Sequence, residues 1–184
     1  PRNLANYNTV ALNILRNVGS GITTISNTGV VNYNVFEDNQ IYTCRGYGMA
    51  IAGHDNKISN NTVSQCQSHG IWVQEERNLV IGNRVLENSQ VAINNSHGIV
   101  VSGTNNLVVG NHSGSPATVA GQQGYGIYVS AVNNTVALNN TRNNSINGLF
   151  IDPSVIGSTI FFQNAGYAGD VTTGTVEKWP GING

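Results

Sequence analysis

The sequence predicts an all-β chain folded as a solenoid, a parallel β-helix of about seven coils. A phrase of glycine, an aliphatic residue, a variable residue and a second aliphatic residue recurs along the 184 residues. In four copies an asparagine lies eight residues after the glycine and another lies thirteen residues after it. No stretch has helical periodicity. A repeat near 22 residues long is a supersecondary unit that buries its apolar face only by stacking on its neighbours.

The clearest copies are spaced 22, 28, 28 and 22 residues apart and begin at Gly48, Gly70, Gly98, Gly126 and Gly148. Two outer copies are looser: Asn8–Asn13 repeats letter for letter as Asn134–Asn139, and Gly21 precedes Asn34.

Each copy predicts two short strands. The residues one and three after the glycine are aliphatic, as in Ile71 and Val73, whereas the residue between them varies. This two-residue period is typical of a strand with one buried face. A second strand is indicated after the first asparagine by Ile58, Val80–Ile81, Val108–Val109 and Val136. Gly, Asn and Ser separate the apolar runs and supply the turns.

The recurring asparagines predict ladders at the corners of the coils. A residue at the same corner of every coil can bond the amides above and below it. Asparagine also tolerates the left-handed conformation that a sharp corner needs. We therefore interpret Asn56, Asn78, Asn106 and Asn134 as structural residues.

The extent of the repeat predicts the domain organisation. Residues 1–164 are expected to form the coils, and residues 165–184 to form a carboxy-terminal cap or an oligomer contact that includes Trp179-Pro180. Because Asn8–Asn13 already matches the repeat, we expect either a fragment of a longer β-helix protein or a cap supplied by another subunit.

Composition narrows the range of partners. Only 9% of residues are charged and the net charge is −1, so no nucleic-acid footprint is expected. No apolar run approaches the roughly 20 residues that cross a membrane. The first residues lack the pattern of a signal peptide, so none is expected within this sequence. The four histidines are dispersed and no Asp-rich cluster is present, so we expect neither a metal nor a cofactor.

The two cysteines are 22 residues apart, one coil period. Cys44 and Cys66 each lie four residues before a repeat glycine, which predicts equivalent corners of adjacent coils. Their Cα atoms would then be about 4.8 Å apart, within the range of a disulfide. Two stacked thiols are equally compatible with this spacing.

The Gly-hydrophobic-x-hydrophobic and Asn-x-hydrophobic phrases resemble those of the pectin-lyase-like superfamily. Its members are single-stranded right-handed parallel β-helix proteins. They include pectate and alginate lyases, polygalacturonases, mannuronan C5-epimerases and phage tailspike depolymerases. The resemblance covers residues 6–164. It implies a right-handed helix, a polysaccharide partner and an extracellular, cell-surface or virion location.

Three columns of residues are expected to project from the sheet that follows the glycines. The first column is partly assigned from the resemblance, because strict alternation would turn it inward. The columns are Tyr47, His69, His97, Tyr125 and Asn147, then Ala50, Trp72, Val100, Tyr128 and Phe150, then Ala52, Gln74, Ser102, Ser130 and Asp152.

These columns predict a carbohydrate-binding face. Sugar rings present apolar C–H faces that pack on aromatic side chains. The expected substrate-binding residues are Tyr47, Trp72, Gln74, Tyr128 and Asp152. Insertions at residues 89–96 and 113–123 are expected to wall this face into a groove.

His69, His97 and Tyr125 are the candidate catalytic residues. An imidazole beside a phenol can serve as base and acid. Repetition of Ser-His-Gly-Ile at residues 68–71 and 96–99 explains the histidines equally well without chemistry. The Tyr-Gly-x-Asp-Pro-His phrase of the mannuronan epimerases is absent at Tyr47-Gly48, and the nine acidic residues are scattered.

Two functions therefore remain open. The first is a carbohydrate-binding or carbohydrate-active β-helix, whether lyase, hydrolase, epimerase-like enzyme or tailspike. The second is an oligomeric structural shaft or adhesin segment, with a homotrimer as the expected assembly, because an exposed apolar column is also typical of subunit interfaces.

Overall fold

The chain folds as the expected parallel β-helix of the right-handed kind. The computed structural model describes residues 6–24, 31–90, 96–115, 123–155 and 159–162. In these residues eighteen short strands form three sheets, and every strand pair is parallel. The expected segment at residues 165–184 lies outside the described residues.

Each full coil contributes one strand to each sheet. Sheet A contains β1 (Thr9–Ala11), β4 (Val35–Glu37), β7 (Lys57–Ser59), β10 (Leu79–Ile81), β13 (Leu107–Val109), β16 (Thr135–Ala137) and β18 (Ile160–Phe162). Sheet B contains β2 (Ile14–Arg16), β5 (Gln40–Tyr42), β8 (Thr62–Ser64), β11 (Arg84–Leu86) and β14 (His112–Gly114). Sheet C contains β3 (Ile22–Thr23), β6 (Met49–Ile51), β9 (Ile71–Val73), β12 (Ile99–Val101), β15 (Tyr125–Val129) and β17 (Asn147–Ile151).

The number of complete coils is slightly smaller than expected. In the described part of the chain, five coils have all three strands, a sixth has strands in sheets A and C, and a seventh has only β18. The strands of sheets A and C were predicted from the sequence, whereas those of sheet B were not. β8, for example, is three residues long and has a single buried aliphatic residue, Val63. One buried residue is not enough to reveal the alternation of a strand.

The interior is a stack of aliphatic residues in register. Ile71 pairs with Met49 and Ile99, and Val80 pairs with Ile58 and Val108. These side chains are buried, as are those of sheet B at Ile41, Val63 and Val85. Among the described residues no helix is long and apolar enough to cross a membrane.

Two asparagine ladders hold the corners on either side of sheet A. In the first, the Asn56 backbone N–H donates to Asn78 Oδ1 at 2.9 Å, and the Asn78 backbone N–H donates to Asn106 Oδ1 at 2.8 Å. The second contains Asn39, Asn61, Asn83, Asn111 and Asn139, which are at most 1% exposed. The predicted role of the asparagines as corner ladders is confirmed.

The reason for asparagine at these corners differs from the one expected. The left-handed backbone conformation belongs to the residue before each asparagine, such as Asp55 (φ 58°), Arg77 (φ 56°) and Asn105 (φ 56°). The asparagine itself is selected because its short amide reaches backbone groups that the turn leaves unpaired.

Cys44 and Cys66 occupy adjacent corners, as their spacing predicted. The backbone N–H of Gln67 donates to the Cys44 carbonyl at 2.8 Å, which fixes the register. Both are buried free thiols. Contact with the Cys44 thiol, together with burial, raises the pKa of Cys66.

Candidate functional site

The outer face of sheet C carries a continuous array of aromatic and imidazole rings. Along β9, Ile71 and Val73 point into the core with 0% exposure, so Trp72 between them points outward and is half-buried. The same alternation turns Tyr128 and Phe150 outward from β15 and β17. We call this set of rings the ring array: Tyr47, His69, Trp72, His97, Tyr125, Tyr128 and Phe150.

The first column faces the same side as the second, despite the strict alternation of a strand. The Cβ that Gly70 lacks would lie 2.2 Å from the core side chain of Val85, so this position points inward, as does Ile71 after it. Two successive inward positions shift the alternation by one residue, and His69 is therefore turned outward. The ring centroids of Tyr47 and Trp72 are 5.3 Å apart, and those of His97 and Tyr128 are 5.1 Å apart.

The array is continuous along the solenoid. Successive centroid distances in the first column are 5.8 Å from Tyr47 to His69, 5.3 Å to His97 and 4.9 Å to Tyr125. The rings of Tyr128 and Phe150 are stacked and nearly parallel, with an interplanar angle of 3° and centroids 5.4 Å apart. These separations are typical of favourable aromatic pairs. The rings extend over five coils, about 19 Å at about 4.8 Å per coil.

Both histidines of the array have one ring nitrogen occupied by the backbone. His69 Nδ1 accepts a hydrogen bond from the His97 N–H at 3.0 Å, and His97 Nδ1 accepts one from the Tyr125 N–H at 3.3 Å. An accepting Nδ1 places the proton of the neutral ring on Nε2. Burial and the neighbouring His69 lower the pKa of His97 to about 4, and burial lowers the pKa of His69. At neutral pH both rings are therefore uncharged Nε2–H donors.

This environment predicts a pH dependence of stability. The folded pKa of His97, about 4, lies below the unfolded value of about 6.5. The unfolded chain therefore binds more protons between these values, and the free energy of unfolding should fall as the pH drops through this window. We expect His97→Asn to reduce the slope of the unfolding free energy against pH, measured by urea unfolding at several pH values. Asn147→Ala, in the same column, should leave this slope unchanged. Equal slopes for the parent and His97→Asn would contradict the prediction.

The third column supplies polar groups beside the rings. Trp72 Nε1–H donates to Ser102 Oγ at 2.9 Å, and Ser102 Oγ–H donates to the Val73 carbonyl at 3.3 Å, which fixes the indole. Gln74 and Ser130 are half-buried in the same column.

Asp152 closes the array at its carboxy-terminal end. Its Oδ1 accepts hydrogen bonds from the Ser154 N–H at 2.9 Å and the Ser154 hydroxyl at 2.6 Å. These bonds lower the pKa of Asp152, so it is a carboxylate at neutral pH. Burial, followed by the charge of Asp152, raises the pKa of Tyr128.

The structure thus gathers on one face all eight residues that the sequence singled out. His69, His97 and Tyr125 are consecutive members of the first column, and the five expected binding residues surround them. Two further residues of the site, Phe150 and Ser102, were in the predicted columns but not among the expected binding residues. The spacing places them there, but it does not reveal their contacts with Tyr125 and Trp72.

An ion cluster at the turn after sheet C was not predicted. Arg77 Nε lies 2.9 Å from Asp55 Oδ1, Arg77 also contacts Glu76, and His54 Nδ1 lies 3.6 Å from Glu76 Oε1. Glu75 is exposed, whereas Glu76 is half-buried and paired. The expected walls of the groove include residues 91–95 and 116–122, which lie outside the described residues, so they stay a prediction.

Solved structures share this fold. A single mutant of the periplasmic alginate epimerase AlgG matches with a TM-score of 0.65 and 18% identity, over 85% of this chain and 39% of that one. A double mutant of the same epimerase matches with a TM-score of 0.65 and 19% identity, over 85% of this chain and 38% of that one. The chain therefore spans about two fifths of the length of these structures. At this identity the likeness shows the fold, and it confirms the resemblance to right-handed parallel β-helix proteins.

The sequence also matches a family of proteins. No curated protein sequence matches the chain significantly. A family model described as periplasmic copper-binding protein (NosD) matches residues 3–113, which is more than half of the 184 residues. This chain belongs to the NosD family.

Proposed function

We propose that the ring array binds an extended polysaccharide that runs parallel to the solenoid axis. The observation that supports this proposal is the continuity of the seven rings over five successive coils. A linear glycan presents apolar ring faces at a regular interval, and a β-helix presents equivalent side chains at a regular interval of about 4.8 Å. The fold shared with a polysaccharide epimerase agrees with this assignment.

The polar groups of the face suit sugar hydroxyls. Neutral His69 and His97 offer Nε2–H donors, Gln74 offers an amide, and Ser130 offers a hydroxyl. Binding sites of this kind combine apolar surface with a few placed polar groups that fix orientation. The ring array would supply most of the affinity and the third column would orient the hydroxyls.

An acid–base role for His69, His97 and Tyr125 remains a proposal that binding alone does not require. The Nδ1 atoms of His69 and His97 already accept backbone N–H groups, so proton abstraction by either imidazole would have to use Nε2, which carries the proton in this arrangement. This geometry favours a binding role for the histidines over a role as general base.

The copper named in the family's description does not fit the described residues. In these ranges no group of three or more His, Cys, Asp or Glu side chains is placed to hold a metal ion. Cys44 and Cys66 offer two sulfur atoms, and thiolates are ligands that Cu(I) prefers. However, metal ligands must be deprotonated. The contact between the two thiols lowers the pKa of Cys44 and, together with burial, raises the pKa of Cys66, so the pair does not readily lose both protons. We therefore assign no copper chemistry to this pair.

We also propose where the protein is located, on the basis of the same comparisons. The family description and the matching epimerase both name the periplasm. An extracytoplasmic place, in the cell envelope or beyond it, agrees with a polysaccharide partner. A cell-surface or virion location is one form of this proposal.

Binding should depend on individual rings of the array. Stacking on an aromatic plane contributes about 1 kcal/mol, which is about fivefold in affinity. Trp72→Ala and Tyr128→Ala should therefore each weaken glycan binding about fivefold in calorimetry without unfolding the solenoid. Tyr42→Ala, which removes a half-buried tyrosine from sheet B, is the matched control and should leave affinity unchanged.

The structural-shaft function makes the opposite prediction. If the ring array packs against a second and third copy of the chain, Trp72→Ala and Tyr128→Ala will change the oligomeric mass in light scattering. That outcome, with no binding to any acidic or neutral glycan, would overturn the proposed function.

A further inference from the structure

We propose that the polysaccharide bound by the ring array is uncharged, unlike the polyuronate alginate. This inference rests on the proposed function and adds to it the chemical class of the ligand. It derives from the charges on and around the outer face of sheet C.

The groups that contact a chain lying on the array are neutral except at one end. The rings of Tyr47, Trp72, Tyr125, Tyr128 and Phe150 carry no charge at neutral pH. The two imidazoles are held in the neutral form by burial and by the backbone N–H groups that occupy Nδ1. The third column adds the Gln74 amide and the hydroxyls of Ser102 and Ser130. Such donors and acceptors match hydroxyl, ether and amide groups of a neutral sugar.

The charges that flank the array are predominantly negative. Asp152 is an ionised carboxylate beside Tyr128 at one end. At the turns after β6 and β9, Asp55 and Glu76 share the single guanidinium of Arg77, and Glu75 is exposed beside them. Three carboxylates against one guanidinium leave this edge with net negative charge. Arg45 lies at the opposite corner of coil 2, before Tyr47.

This distribution opposes a polyanion along the whole length of the array. In the sequence, neither lysine nor arginine occurs between Arg84 and Arg142, the stretch that contributes strands β12 to β16 and both insertions. A polyuronate carries one carboxylate per sugar. Beyond Arg45 at the Tyr47 end, each carboxylate would lose hydration over the rings without gaining a cation, and an unpaired charge in a partly desolvated site is costly. A neutral chain avoids this cost and keeps the stacking.

A matched glycan panel tests the inference. We would measure binding of two neutral polysaccharides, a galactomannan and a β-glucan, and of two polyuronates, alginate and polygalacturonate. The expected result is binding of a neutral chain at least about tenfold tighter than of either polyuronate. Affinity for the neutral chain should also stay constant from about 0.01 to about 1 M salt, a range over which the Debye length falls from about 30 to about 3 Å.

The outcomes separate the two proposals. Equal or tighter binding of alginate or polygalacturonate would overturn the neutral-ligand inference while supporting polysaccharide binding. Absence of binding to all four polysaccharides would overturn the proposed function itself.

A gain-of-function variant locates the effect on the array. Gln74→Lys places a cation in the third column, and we expect it to raise alginate affinity about two- to fivefold at low salt. Gln40→Lys, on the exposed surface of sheet B, adds the same charge and should have no effect. An equal gain from both variants would show that the glycan does not lie on sheet C.

Discussion

Replacing Asn83 by alanine is expected to destabilise the solenoid by about 3–5 kcal/mol, the largest effect of any single substitution considered for this chain. Asn83 Oδ1 accepts hydrogen bonds from the Asn61 backbone N–H at 2.9 Å and from Asn61 Nδ2 at 3.0 Å. Its Nδ2 donates to the Ile58 carbonyl at 2.9 Å and to Asn111 Oδ1 at 3.0 Å. The residue is 1% exposed, so water cannot replace these partners.

Asn140→Ala is the matched control, because Asn140 is exposed and lies outside both ladders. We expect it to change the free energy of unfolding by less than about 0.5 kcal/mol. Urea unfolding followed by circular dichroism measures both variants. If the free energy of unfolding of Asn83→Ala lies within about 1 kcal/mol of the parent value, the ladders contribute little to stability.

Replacing Gly70 by alanine is the second large prediction, with an expected loss of about 3 kcal/mol. An alanine Cβ here would lie 2.2 Å from Val85 Cγ1, 2.7 Å from Asn88 Nδ2 and 2.7 Å from the Gly98 carbonyl oxygen. Val85 is buried in the core, and the Gly98 carbonyl accepts the Ile71 N–H at 2.8 Å. Neither neighbour can move without disturbing the stacking of adjacent coils.

Gly19→Ala separates this steric effect from the general effect of losing a glycine. No heavy atom outside its immediate chain neighbours lies within 4 Å of the Cβ position at Gly19, so we expect a change of less than about 0.5 kcal/mol. Thermal unfolding provides a second measurement, and the two variants should differ by several degrees in Tm. Similar Tm values for Gly70→Ala and Gly19→Ala would contradict the close approach of the coils at Gly70.

The repeat made most of the fold predictable. Because each coil repeats the phrase of the previous one, the alignment of Gly70 with Gly98 already implies the pairing of Ile71 with Ile99 that the structure shows. The same reasoning placed Cys44 beside Cys66. Sheet B was missed because its strands are three residues long and their buried aliphatic residues do not alternate. β8 has one such residue and β11 has two in succession, so no period of two is visible.

The sequence predicted which residues lie on the outer face of sheet C, but not the contacts between them. Column positions follow from the coil period, so Trp72, Tyr128 and Asp152 could be assigned to one face from the sequence. The outward orientation of His69 and His97 was expected only from the resemblance to other β-helix proteins, because the alternation of a simple strand would turn them inward. Their outward position depends on a shift of the alternation at Gly70 and Gly98. Each glycine and the isoleucine after it both face the core, so the histidine before the glycine faces outward.

The coil period, the stacking register and the asparagine ladders follow from the amino-acid sequence alone, because each is a local pattern repeated at a fixed interval. Stacking of the coils was needed to establish the protonation of His69 and His97, the pairing of Glu76 with Arg77 and the contact of Trp72 with Ser102. These properties depend on distances between residues of different coils and on the burial of each ring. The physical reason is that stacking follows from the repeated residues, whereas electrostatics and side-chain contacts follow from the residues in which the coils differ.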